Sequence, residues 1–196
     1  MSNTSLRCQD VPKKSFAAGA TKLEIAGIQI TAAIQMMYEG IHPVAIHTVA
    51  SSAFQIVRDL GSKQGSRRLD EIELRIADGQ KGRYYKEINK FWTFFKHANS
   101  DPDATFPENV DESINDFALR FAIFIYEDLG GSETLEIRSF KLWFMGVYLD
   151  LFKEEVKEQL GSYRPSFESA TRADLINMGK LTLRKLKQQE PSFKKV

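Results

Sequence analysis

The chain has 196 residues, with 27 Lys and Arg against 26 Asp and Glu, for a formal charge of +1. Its 42% hydrophobic content, 14 Phe and 2 Trp are too much apolar mass to stay solvated, so global disorder is excluded and the length suits one globular domain. The balanced charge argues against a protein built mainly for non-specific nucleic-acid binding, and 12 Gly with 6 Pro excludes a collagen-like or mucin-like chain.

Residues 1–20 read as a loose polar arm holding Pro12, Lys13, Lys14 and the single cysteine, Cys8. One cysteine cannot close an internal disulfide. The arm has no continuous apolar h-region, and no run approaches the ~20 apolar residues that span a bilayer. The expected setting is therefore the cytoplasm, with no membrane partner.

A first helix is predicted over residues 21–38, where Leu23, Ala26, Ile30, Ala33 and Met37 recur at spacings of three and four. Gly40 ends it as a C′ residue, and Pro43 opens the next at its first position. That second helix is predicted over 43–60, with Ile46, Ala50, Ala53, Val57 and Leu60 inward and Gly61 as its stop. The small run Ala50-Ser51-Ser52-Ala53 lets a neighbouring helix approach closely. The short connection implies an antiparallel hairpin.

Residues 62–82 read as a charged connection with a short amphipathic helix at Leu69, Ile72 and Ile76. A long helix is predicted over 83–97, with Tyr84, Ile88, Phe91 and Phe95 on one face, before a Pro- and Asx-containing loop at Asn99 to Asp103. The next covers 110–129, with Ile114, Phe117, Phe121 and Ile125 inward. A further helix starts after an N-cap at Ser132 and runs to about residue 160, burying Leu135, Phe140, Phe144, Val147 and Leu151. Thr171 and Asp174 resemble a capping box for a last helix to residue 189. There Leu175, Leu183 and Leu186 face inward, while Lys180, Arg184 and Lys187 form an outward basic stripe. No segment alternates with period two. The fold class is all-α, an antiparallel bundle of five to seven helices over residues 21–189, followed by a basic tail at 190–196.

No phosphate-binding glycine loop, dinucleotide fingerprint or nucleophile elbow is present. Asn99, Asp101 and Asp103 supply three positions of a calcium loop, but Ala104 replaces the required Gly and Val110 the closing Glu. His42 and His47 are five apart and fall on different sides of a helix. No metal or cofactor is expected. The densest set of useful groups is Asn89, Lys90, Lys96 and His97, with Asn99 and Asp101 following. His97 suits proton transfer near neutral pH, and Lys90, seven residues before it, shares its helical face and suits stabilisation of a developing anion. Asn89, Lys96, Asn99 and Asp101 are candidate binding groups. Lys96 and His97 also fit a purely structural role opposite a helix dipole, and the Asx residues fit a turn.

The helical hairpin Ile28 to Ile34 and Ile46 to Ala53, followed by Asn89-Lys90-Phe91-Trp92-Thr93-Phe94-Phe95-Lys96-His97-Ala98 and Asp101-Pro102-Asp103, resembles a group of uncharacterised bacterial helical proteins that is itself similar to the HEPN superfamily. The resemblance covers residues 21–150. It implies a helical bundle, and for active members a metal-independent endoribonuclease with an Arg-x4–6-His motif at a dimer interface. His97 alone carries over onto that motif. No Arg stands at the required spacing, and Lys90, with six residues intervening, is a point charge without the guanidinium fork. Superfamily relatives without activity serve as binding or regulatory modules. The expected function is such a module, homodimeric, binding a partner protein, RNA or a nucleotide without specific DNA recognition. The alternative is an endoribonuclease using His97 and Lys90.

Overall fold

The structure, a computed structural model, describes residues 19–74, 79–80, 82, 89–91, 93–95, 102–106, 110–152 and 170–189. They form α1 (Lys22–Tyr38), α2 (Pro43–Gln64), α3 (Arg67–Glu73), α4 (Ile114–Asp128), α5 (Leu135–Val147), a 3-10 turn (Leu149–Leu151) and α6 (Arg172–Gln189). No strand occurs among the described residues, and the all-α class holds. None of their helices is long and apolar enough to cross a membrane. Of the helix expected over 83–97, only 89–91 and 93–95 are described, and they are helical. The arm before residue 19 and the tail after residue 189 lie outside the described residues, as does Cys8.

The first hairpin follows its local chemistry. Thr21 Oγ1 accepts from the Glu24 N–H at 3.2 Å, and Glu24 Oε2 accepts from the Thr21 N–H at 2.7 Å, closing a capping box. At the other end Gly40 takes φ 68°, and the Ile41 N–H reaches the Met36 carbonyl at 3.0 Å. Pro43 then starts α2, with His42 Nδ1 accepting from the Val44 N–H at 3.3 Å. The turn from Tyr38 to Pro43 is short, and Gln29, midway along α1, donates to Ser52, midway along α2, at 3.1 Å, so the chain folds back on itself and the two helices run antiparallel. Ala50 and Ala53 are fully buried at that contact.

Gly61 does not end α2. The helix continues to Gln64 and stops at Gly65, which takes φ 75°. Gly61 is instead a packing residue: a Cβ there would sit 3.2 Å from Ile125 and 3.3 Å from Leu69. The start of the expected charged connection is thus helical and anchored. Ser66 caps α3, and Asp128 at the end of α4 accepts from Ser66 Oγ at 2.8 Å and from the Arg68 N–H at 3.2 Å.

The inward face of α4 differs from the one predicted. Ile125 is buried as expected, Phe117 and Phe121 are half-buried and pack against the core from its edge, and Ile114 is half-buried outside it. Asn115 and Asp116 lie inward instead, in phase with Leu119, Ala122, Ile123 and Tyr126. Hydrophobicity cannot foresee this rotation, because it depends on partners elsewhere in the chain that accept the polar pair.

Further along, Thr134 rather than Ser132 caps α5, its Oγ1 accepting from the Ile137 N–H at 3.2 Å. The helix ends at Val147, well before residue 160, where Tyr148 leaves helical geometry. Leu151, expected inside, is 64% exposed. The capping box at Thr171 and Asp174 forms as predicted. Leu183 of α6 is buried, and Leu175 and Leu186 are half-buried. The basic stripe is not simply solvated: Lys180 pairs with Glu39 at 2.8 Å and Lys187 with Glu136 at 2.9 Å, tying α6 to the end of α1 and the start of α5.

Ile30, Ile34, Leu119, Ile123, Ile137 and Phe140 form the fully buried centre where α1, α4 and α5 meet. α6 closes over it by laying Gly179 against the Tyr38 ring, where any Cβ would collide. Gly179→Ala is therefore expected to cost about 1–3 kcal/mol by overpacking. Urea denaturation of Gly179→Ala, Tyr38→Leu and the double variant checks this: the alanine's cost should shrink when Tyr38→Leu has already removed the ring.

Candidate functional site

The first turn of α4 meets the first two turns of α2 through a chain of hydrogen bonds. Asn115 Nδ2 donates to the Pro43 carbonyl at 3.0 Å. A carbonyl only accepts, so the amide must turn its NH2 there and its oxygen towards His47. His47 Nδ1 then carries the proton and donates to Asn115 Oδ1 at 2.8 Å. Nε2 is left as an acceptor, and Ser51 Oγ donates to it at 3.0 Å. His47 and Ser51 are one turn apart on α2, which makes the last contact possible. Burial is the larger influence on His47 and holds it below its ordinary pKa of 6.5, while the Asn115 bond pulls the other way. The neutral imidazole is fixed in one tautomer.

Ser51, His47 and Asn115 occur in the order of a nucleophile relay. Their setting does not complete one. Ser51 is mid-helix, and the N–H groups around it are committed to helical bonds, so they cannot form an oxyanion hole. The chain of bonds holds the imidazole edge-on to aromatic rings. The His47 ring centroid lies 6.1 Å from that of Phe91 and 5.8 Å from that of Phe95, both at near-perpendicular angles. Phe95 stacks on Phe106 at 5.2 Å, and Phe91 and Phe94 tilt onto the same ring.

These groups line a half-open cavity of about 240 Å³. Phe91, Phe95, Phe106, Val44, Val110 and Ile114 give it apolar walls, and His42, Asp111 and Glu112 stand among its lining groups. Asp111 is held below the usual carboxylate range by its bonds to Ser113 and is ionised at neutral pH.

On the other side of the same α4 turn, Asp116 is fully buried. Arg172 Nη1 and Nη2 grip its two oxygens at 2.7 and 2.8 Å, and the Tyr148 hydroxyl donates to it at 2.6 Å. Burial pushes the carboxyl up, and the Arg172 fork and Tyr148 pull it back. Burial and the Asp116 charge push Tyr148 upward, so it stays a donor. A larger, open hollow of about 560 Å³ lies between the α1–α2 turn and the start of α6. Several of its polar groups are engaged: Arg172 holds Asp116, Asn115 holds Pro43 and His47, and Glu39 holds Lys180, while the buried Arg172 Nε lies 3.2 Å from Glu112 Oε1 without hydrogen-bond geometry.

Among the residues singled out from sequence, Asn89 is half-buried and Lys90 exposed. Lys96, His97, Asn99 and Asp101 lie outside the described residues. Asp103 is exposed in a turn. The two described histidines have separate fates, His42 as a helix cap and His47 as a buried donor and acceptor. No group of three or more potential metal ligands occurs among the described residues. His47, Asn115, Asp116 and Arg172 were not foreseen as a site. The available signal was phase: Asn115 and Asp116 fall on the face of Leu119, Ala122 and Ile123, and His47 on that of Ala50 and Phe54. No protein-family model, curated protein or solved structure matches the chain.

The His47 pKa gives a pH dependence with a definite sign. In the unfolded chain the imidazole takes up a proton near its ordinary value of 6.5, whereas the folded state resists it. The stability tied to neutral His47 is complete above that value and falls as the pH drops through and below it. Urea midpoints at pH 7.5 and 5.5 should show this loss in the natural chain and a smaller one in His47→Gln.

Proposed function

We propose that the chain is a non-catalytic α-helical binding module whose ligand is a small, flat, apolar molecule held in the cavity beside His47. The observation that carries this is the internal satisfaction of every polar group on the Ser51–His47–Asn115–Pro43 chain. The seat therefore presents ring faces and aliphatic groups to its occupant rather than unpaired donors. An apolar cavity of about 150 Å³ holds a benzene ring. At about 240 Å³ this one suits two fused rings.

Of the partners expected from the sequence, a nucleotide or RNA shares one element of this chemistry, a base that stacks on phenylalanine. The carboxylates of Asp111 and Glu112 at the cavity disfavour an attached phosphate. A neutral or cationic ring fits better than a phosphorylated one. The cavity is assembled from residues of a single chain, so this reading requires no second copy.

Thermal melts with indole, and with adenosine monophosphate as the phosphorylated comparison, test the assignment. Indole at a hundredfold excess over its dissociation constant should stabilise the protein by about 2.7 kcal/mol. Val44→Trp, which fills the cavity from α2, should abolish that gain. The nucleotide should have no effect. An equal indole response in Val44→Trp would contradict the site. Cleavage of RNA in EDTA that vanishes in His97→Ala would replace this reading with the endoribonuclease.

A further inference from the structure

A second, chemically different cavity lies on the far part of α4. Its volume is about 170 Å³, and among the described residues Glu71, Ile72, Arg120, Phe121 and Phe124 line it. Arg120 has an unusual position there. Its guanidinium carbon is 5.2 Å from the centroid of Phe124, one turn along α4, and 5.9 Å from that of Phe144. It is half-buried, yet among the described residues it has no hydrogen-bond or ion-pair partner. The carboxylates nearby are engaged elsewhere. Glu71 pairs with Arg68 at 2.9 Å and Glu127 with Lys141 at 2.7 Å. Arg68 also lies over the Phe124 ring, at 4.4 Å, so two guanidiniums share one aromatic face system.

The electrostatic consequence is a local cation excess at an apolar hollow. Burial pushes the Arg120 pKa down, and neighbouring Arg68 adds to this against the pull of Glu127. Arg58 and Arg172, by contrast, each have a carboxylate within hydrogen-bond reach. A guanidinium fork with open donors beside aromatic walls matches a planar oxyanion carried on an apolar body. The cavity volume limits that body to about one ring. The apolar walls set the charge, since the cost of taking an ion out of water grows with the square of its charge and so weighs about fourfold on a dianion. That favours a carboxylate over a doubly charged phosphate.

We infer that the α3–α4 cavity binds a single-ring or similarly compact monocarboxylate, with Arg120 holding the carboxylate and Phe121, Phe124 and Ile72 holding the apolar body. The site is independent of the cavity beside His47: it differs in helix, in lining residues and in the charge of its ligand.

Titration of the full chain with benzoate at low ionic strength tests this, read at the Ile72 methyl resonances, because Ile72 lines this cavity and not the other. Benzamide serves as the neutral isostere and inorganic phosphate as the compact dianion. Saturable Ile72 shifts are expected with benzoate, at least tenfold weaker with benzamide and with phosphate. Arg120→Met should weaken benzoate at least tenfold with Arg120→Lys intermediate, while circular dichroism shows the helices intact. Glu71→Gln, at a residue whose change leaves the core alone, should tighten benzoate severalfold. Absence of Ile72 shifts with benzoate in the natural chain overturns the inference. So does equal binding of benzoate and benzamide, or unchanged benzoate affinity in Arg120→Met.

Discussion

The arrangement of this protein depends on two adjacent polar residues placed where hydrophobic ones would be expected. Asn115 and Asp116 enter the interior in the first turn of α4 and face different neighbours. Asn115 bonds to the Pro43 carbonyl and to His47 on α2, and Asp116 is gripped by Arg172 on α6 and by Tyr148 after α5. A buried amide and a buried carboxylate are tolerated only when their bonds are made, so each partner must arrive in register. One turn of helix thereby fixes the positions of two others. Hydrophobic packing alone allows helices to slide or rotate at low cost, whereas a bidentate ion pair does not.

That registration shapes the surface available for ligands. The bonds to Asn115 and Ser51 set the His47 tautomer and hold the ring edge-on to Phe91 and Phe95. The aromatic cavity lies against this polar chain, whose members bond to one another. The cavity at Arg120 follows the opposite logic, since there a guanidinium has no hydrogen-bond or ion-pair partner among the described residues and the nearby carboxylates pair with other cations. The two hollows thus differ in the charge of the groups that line them.

The sequence reveals the parts of the fold governed by local chemistry. The stop at Gly40, the restart at Pro43 and the Thr171–Asp174 box each need only a few neighbouring residues, and each stands where it was expected. What it hides is what depends on distant partners. Gly61 looks like a helix stop, and only the approach of Ile125 and Leu69 shows it to be a contact residue. Lys180 and Lys187 look like part of an outward basic stripe until Glu39 and Glu136 are seen opposite them. Ile114, Phe117 and Phe121 form the more hydrophobic face of α4, yet the polar pair turns inward. Its burial is stabilised by groups 56 and 68 residues away in sequence. The candidate site shared this fate, since His47 reads as an isolated histidine until Asn115 and Ser51 are placed around it.

A double-mutant cycle between Asp116 and Arg172 tests the central interaction most directly. Arg172→Met leaves a buried carboxylate without its counter-charge and should cost about 3–5 kcal/mol in urea unfolding. Adding Asp116→Leu removes that stranded charge, so the double variant should recover more than half of the loss. Additive costs in the double variant would contradict the account, because they would mean that the two side chains stabilise the bundle separately and do not hold α4 and α6 in register.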